Sequence, residues 1–171
     1  MQIGRPERSA ATEFYFRYID RIKEADVVSV LQAQLSDVPH SLRMITEEHS
    51  LHRYASGKWS IREVVGHMND TERMMMGRAF WFARGFDTPL PSFDQQVCVS
   101  AARADAIAWE AHIEEFVATR QASIHFLRNL PSEAWMRRGT ASGCPFTVRA
   151  LVFLLAGHTD HHLAVVKEQY R

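Results

Sequence analysis

Two histidines, His158 and His162, lie one helical turn apart in an apolar stretch near the end of the chain. At about 100° per residue both fall within about 20° of Leu151, at the centre of the apolar stripe of this predicted helix. Burying two unpaired imidazoles is costly, and a shared metal would satisfy both, at the i,i+4 spacing that helical zinc ligands use. The pair therefore predicts a metal site, with two separate core histidines, each hydrogen-bonded to a neighbour, as the alternative.

A third ligand has to come from another helix, and His67 is the candidate. It lies about 95° from the centre of its own apolar stripe, a position that suits a seam between helices, although a boundary position is the alternative. Asp70, one turn further on, could accept a hydrogen bond from the other ring N–H and so fix the tautomer. The alternative for Asp70 is an exposed charge paired with Arg73 or Arg78. His161 projects at the margin of its stripe, so we expect it at the rim of the site or on the surface.

The segments that carry these residues have the patterns of helices. Ser60 and Glu63 form a capping box before an apolar stripe that ends at Gly85, and Asp26 is a plausible N-cap of an earlier helix that Pro39 should bend or interrupt. The other predicted elements are a loop at 86–99, a helix from about 105 to 129, a turn at 131–135, a polar connection at 139–145 and a last helix from about 147 to 170.

No segment has the sustained alternation of strands joined by hairpin turns, so the fold class is predicted as all-α, an antiparallel up-down four-helix bundle. Residues 26–171 are expected to form this domain. Residues 1–25 form an aromatic-rich N-terminal lead-in whose structure the sequence does not predict.

Composition limits the classes of partner. The 171 residues carry 20 Lys and Arg against 20 Asp and Glu, so no basic surface is expected for nucleic acid or an anionic membrane. No run approaches the roughly 18 apolar residues of a membrane span, and the two cysteines lack a CxxC spacing. We therefore expect a soluble cytoplasmic protein that acts on a small molecule, without a nucleic-acid or membrane partner.

Two stretches carry a resemblance to a known family. Residues 57–67, GKWSIREVVGH, resemble the G-K-W-S-I-x-E-V-x-x-H signature of the DinB/YfiT-like superfamily, and residues 156–163, AGHTDHHL, resemble its G-H-x-x-H-H pattern. Shorter matches lie at 70–73, 88–94, 139–141 and 147–150. Each motif is loose alone, but their order and spacing cover nearly the whole chain from Asp26 onward.

The resemblance implies an up-down four-helix bundle, often dimeric, with a divalent metal held by three histidines. The family positions map onto His67, His158 and His162, the set that the helical geometry also favours. Imidazole suits zinc, nickel, iron and copper; we expect zinc or nickel, with iron as the next candidate. The known activities of the family involve low-molecular-weight thiols such as bacillithiol or mycothiol.

Two functions follow from these expectations. The first is a metal-dependent enzyme, a thiol-dependent S-transferase or a hydrolase, in which the bound thiol or water is the nucleophile. The second is a non-catalytic metal-binding bundle of the stress-response type that acts through dimerisation. The substrate, the native metal, and the roles of His161 and of the two cysteines are not determined by the sequence.

Overall fold

The computed structural model describes residues 3–170 and is mostly helical. The α-helices are α1 (Phe16–Ile19), α2 (Val27–Arg43), α3 (Ile61–Ala83), α4 (Gln95–Ala102), α5 (Trp109–Arg128) and α6 (Val148–Gln169). Two short strands, β1 (Arg138–Ala141) and β2 (Cys144–Thr147), form an antiparallel hairpin. Short 3-10 helices lie at Arg8–Ala10, Glu13–Tyr15, His49–Leu51, Ala104–Ala106 and Ser132–Met136. Within residues 3–170, no helix combines the length and the apolar character that crossing a membrane requires.

The helix starts follow the capping residues in the sequence. Asp26 accepts hydrogen bonds from the backbone amides of Val28 and Ser29. Ser60 and Glu63 form both bonds of the predicted capping box at the start of α3, satisfying amides that have no partner within the helix. Helix α2 continues through Pro39 as far as Arg43, so the proline does not end it.

Helices α2, α3, α5 and α6 form the bundle. The most extensive contacts join α3 to α6, α2 to α5 and α3 to α5, and a smaller contact joins α2 to α6. The order around the bundle is therefore α2, α5, α3, α6, which differs from the order along the chain. The predicted all-α class fits, apart from the small hairpin, whereas the up-down alternation of helix directions stays a prediction.

Two segments that were predicted as irregular connections between helices contain regular secondary structure. Helix α4 begins at Gln95, inside the segment predicted as loop, because the Asp94 side chain caps the amides of Gln96 and Val97. The segment predicted as a polar connection is the β hairpin, whose turn places Ser142 and Gly143 at φ values of 53° and 72°. Positive φ at both central residues is the conformation of a type I′ turn, one of the two common two-residue hairpin turns.

One buried ion pair connects all four helices of the bundle. Arg120 on α5 is 0% exposed, and its Nε lies 2.9 Å from Oε1 of Glu72 on α3, which is 1% exposed. The same guanidinium donates to Oε1 of Gln34 on α2 at 2.6 Å and to Oγ1 of Thr159 on α6 at 3.0 Å. These bonds fix how the helices lie relative to one another near the middle of the bundle.

The N-terminal segment packs on the bundle through α1, which contacts α6. Phe16, Ile19 and Ile22 are buried in the larger of two hydrophobic clusters, together with apolar side chains of α6. Helices α1 and α6 approach each other closely at Gly157, where an added Cβ would lie 2.0 Å from the carbonyl oxygen of Tyr18. Glycine is therefore required at this point of α6. The boundary at residue 25 between lead-in and bundle domain stays a prediction.

Replacing this glycine should destabilise the protein. We expect Gly157→Ala to lower the free energy of unfolding by about 1–3 kcal/mol, because the methyl group displaces the backbone of α1. Gly77→Ala on α3 is the matched control, since its Cβ would meet no atom of residues 3–170 within 4 Å. There alanine should raise the free energy of unfolding by up to about 1 kcal/mol. Urea denaturation of both variants measures this, and equal effects would contradict the close packing of α1 on α6.

Candidate metal centre

The structure brings together the three histidines singled out in the sequence. His67 lies on α3 and His158 and His162 on α6, and their ligand atoms all lie within 4.8 Å of one another. The Nε2 atom of His158 is 3.1 Å from Nε2 of His67 and 3.0 Å from Nε2 of His162. His67 and His158 are 3% and 7% exposed. Three imidazole nitrogens therefore converge on one point at the α3–α6 seam.

Hydrogen bonding alone does not satisfy this cluster. A neutral imidazole carries one N–H and one lone pair, so Nε2 of His158 can either donate once or accept once. It has two Nε2 neighbours, and one of the two contacts is therefore left without a good hydrogen bond. A cation at the centre accepts all three lone pairs at once, which makes the donor set suitable for a divalent metal.

Burial keeps the three rings neutral. It lowers the pKa of His67 to about 4. Burial, with the nearby charges of His67 and His161, lowers the pKa of His162 to about 3. For His158 burial is again the first cause, followed by the other two histidines of the cluster, and its pKa lies well below the ordinary value. Neutral rings have the free lone pairs that metal binding requires.

Aromatic side chains surround the cluster. The ring of Tyr18 lies 5.5 Å from that of His158, and the ring of Trp59 lies 5.0 Å from that of His67. His161 is not one of the three residues whose nitrogens converge, and its ring lies 5.3 Å from that of Tyr18. Its place at the rim of the site or on the surface stays a prediction. Tyr18 lies in the N-terminal segment, for which the sequence predicted neither structure nor a place near the histidines.

Asp70 does not support the ring of His67 as the sequence suggested. Its carboxylate lies 3.8 Å from the guanidinium of Arg73, and Nδ1 of His67 has no hydrogen-bond partner among residues 3–170. The spacing of one turn puts the two residues on neighbouring parts of α3, but the imidazole turns inward to the seam while Asp70 stays half-exposed. The alternative of a surface ion pair with Arg73 fits the structure.

Two cavities border the cluster. One of about 280 Å³ is lined by His67 and His158 and includes two arginines, Arg17 and Arg78. The other, of about 360 Å³, is lined by His162 with His161 and Trp59. Gln95, at the start of α4, lines both. Both arginines and Gln95 were not predicted as site residues from the sequence. For Gln95, the capping residue Asp94 was a usable signal of the helix that presents it.

Comparison of this structure with solved structures identifies proteins with the same fold. YfiT from Bacillus subtilis, described as a probable metal-dependent hydrolase with an unusual four-helix bundle topology, has a TM-score of 0.71 and 18% identity, over 96% of this chain and 90% of that one. A mycothiol-dependent maleylpyruvate isomerase has a TM-score of 0.68 and 11% identity, over 85% of this chain and 61% of the isomerase. At these identities the likeness shows the fold alone. A search of curated proteins finds no significant sequence match.

The sequence also matches a family model directly. The model of the DinB superfamily aligns with residues 31–166, a range that includes the four bundle helices almost completely and all three clustered histidines. This agrees with the four-helix bundle described above and with the resemblance in the sequence motifs. The chain is therefore a member of the DinB superfamily.

Proposed function

We propose that this protein is a divalent-metal-dependent enzyme, an S-transferase that uses a low-molecular-weight thiol or a hydrolase that uses water. His67, His158 and His162 are the metal ligands in this proposal. Zinc and nickel are the first candidates for the metal and iron is the next. The substrate is a small molecule that enters the cavity beside the histidines.

One observation carries the proposal. Three neutral imidazole nitrogens converge at a point that borders a cavity rather than in the middle of a sealed core. Structural zinc sites are usually closed by four protein ligands, whereas three protein ligands with an open position are typical of catalytic sites. The structural similarity to YfiT also supports a metal-dependent enzyme, since that protein is described as a probable metal-dependent hydrolase.

The residues of the chain have separate tasks in such a site. His67, His158 and His162 would hold a divalent metal, which would supply a nucleophile near neutral pH by lowering the pKa of a thiol or of water. Tyr18 and Trp59 pack against the imidazole rings and limit the access of bulk water to them. Arg17 and Arg78 place positive charge in the cavity next to His67 and His158. Self-association as a homodimer and a cytoplasmic location stay predictions.

Turnover tests the enzymatic part of the proposal. Protein reconstituted with zinc or nickel is mixed with mycothiol or bacillithiol and a chlorodinitrobenzene electrophile, and separately with nitrophenyl acetate. We expect a metal-dependent rate in one of the two assays, lost in His162→Ala and kept in His161→Ala. A fully metal-loaded protein that is inactive in both assays would contradict an enzyme of these two classes and favour the non-catalytic metal-binding bundle.

Metal content tests the ligand assignment. His162→Ala should lose the metal because it removes one of three converging nitrogens, whereas His161→Ala should retain about one metal per chain because this ring lies outside the cluster. The two substitutions are adjacent on α6 and remove the same side chain, so they control for each other. Elemental analysis after dialysis measures the content, and equal loss from both variants would contradict the assignment.

The pH dependence of metal binding should reflect the buried environment. Protons compete with a metal only below the pKa of the free ligand, and here burial puts the pKa of His67 at about 4 and that of His162 at about 3. We therefore expect metal occupancy to stay constant from about pH 8 to about pH 5 and to fall steeply below that range. Solvent-exposed ligands would instead begin to lose metal near the reference pKa of about 6.5.

Equilibrium dialysis at each pH, followed by elemental analysis, measures this occupancy. Far-ultraviolet circular dichroism on the same samples is the control, because it reports whether the helices remain folded. Loss of metal between about pH 7 and pH 6 from a fully helical protein would mean that the three rings titrate as exposed histidines do.

A further inference from the structure

Arg78 is a buried cation on the wall of the cavity beside the three histidines. It lies on α3 and is 6% exposed. Its Nη2 donates to the carbonyl oxygen of Pro91 at 2.8 Å and to Oγ of Ser142 at 2.8 Å. These two bonds hold the guanidinium between the loop after α3 and the turn of the β hairpin. The position of the charge is therefore fixed by three separate parts of the chain.

Among residues 3–170, no carboxylate lies within ion-pair distance of Arg78. The other arginines that are buried among these residues do have such partners, since Arg62 pairs with Glu47 and Arg120 with Glu72. An unpaired buried charge is costly, and burial accordingly lowers the pKa of Arg78. Its Nε and Nη1 make no hydrogen bond with residues 3–170 and are not fully buried, and the Arg78 side chain lines the cavity. Two nitrogens of the guanidinium thus remain without a partner and could donate to a ligand.

A second unpaired arginine faces the same cavity. Arg17 on α1 stacks on the ring of Phe14, with its guanidinium carbon 3.9 Å from the ring centre, and donates to the Tyr18 hydroxyl at 3.0 Å. It has no carboxylate partner within residues 3–170. Among the described residues, the lining of this cavity contains both arginines and no Asp or Glu. The electrostatic potential inside it should therefore favour an anion.

About half of the lining is apolar or aromatic. Met74, Met75 and Leu154 contribute aliphatic surface, and Tyr15 and Phe93 contribute rings. Such a surface fits the carbon skeleton of an organic molecule better than a fully hydrated inorganic ion. Guanidinium groups match the geometry of a carboxylate, which can accept two parallel hydrogen bonds.

We propose that the cavity binds a small organic carboxylic acid, with its carboxylate at Arg78 and Arg17 and its apolar part against Phe93 and Met74. This inference rests on the proposed function, because it makes the acid the substrate of the adjacent histidine site. It narrows the substrate class from any small molecule to an anionic one with an apolar body of limited size, set by a cavity of about 280 Å³.

Benzoate and benzamide test the proposal, because they have nearly the same shape and differ in charge. Their dissociation constants are measured by ligand-observed NMR on the full-length chain, both zinc-loaded and metal-free. We expect benzoate to bind at least about tenfold more tightly than benzamide, as a hydrogen-bonded charge would contribute. Arg78→Gln should remove that preference, and Arg78→Lys should restore part of it, since lysine keeps the charge but loses the planar fork.

Two further variants separate binding from folding. Arg17→Gln changes an exposed side chain whose contacts, with Phe14 and the Tyr18 hydroxyl, are themselves exposed. It should therefore change stability little and weaken benzoate binding by roughly threefold or more. Arg84→Gln, at the exposed end of α3, is the matched control and should leave benzoate binding unchanged. Inorganic phosphate is the competing probe.

The outcomes distinguish this inference from the proposed function. Benzoate binding to the metal-free protein that depends on Arg78 and Arg17 supports the carboxylate site even if no metal binds. A protein that binds zinc but shows equal affinity for benzoate and benzamide overturns the carboxylate site alone. Tight binding of inorganic phosphate without binding of benzoate also overturns it, since the site would then recognise anions without an organic part.

Discussion

The charge of Arg120 has no access to solvent, and the bundle has to neutralise it from within. Glu72 supplies the counter-charge through both carboxylate oxygens, at 2.9 and 3.0 Å from Nε, while Gln34 and Thr159 accept from the two remaining nitrogens. Removing one partner of a buried pair typically costs about 3–5 kcal/mol, because the other charge stays buried. Slippage between the helices would break several of these bonds at once, so their relative positions are strongly constrained.

The histidine cluster depends on that constraint. Thr159 is adjacent to His158 on α6, and Glu72 lies five residues after His67 on α3. The bonds of Arg120 to Thr159 and Glu72 therefore fix the position of α6 along α3, and with it the contact between the two imidazoles. Arg78 differs from Arg120 in this respect. The charge of Arg120 is neutralised by Glu72 inside the bundle and stabilises the fold, whereas the charge of Arg78, on the cavity wall, is available to a ligand.

Capping residues and the helical spacing of apolar residues predicted the helix starts and the helix faces on which the histidines lie. Capping residues predicted the starts of α2 and α3. The helical positions of His161 and His162 on α6 predicted that only His162 is a metal ligand, and only His162 lies in the cluster. Long-range contacts explain what was missed. The docking of α1 on α6 depends on a close approach at Gly157, and the place of Arg78 depends on the hairpin turn. The orientation of Asp70 away from His67 is a matter of side-chain packing that spacing along α3 does not determine.

In the proposed metal site, three imidazoles and no other side chains hold one divalent metal. X-ray absorption spectroscopy of the zinc-reconstituted protein is the decisive measurement, because the fine structure reports the number and type of ligand atoms. We expect three imidazole nitrogens at about 2.0–2.1 Å, with any remaining ligand a light atom. A sulfur neighbour at about 2.3 Å, which would bring in Cys98 or Cys144, or fewer than three imidazoles, would contradict it.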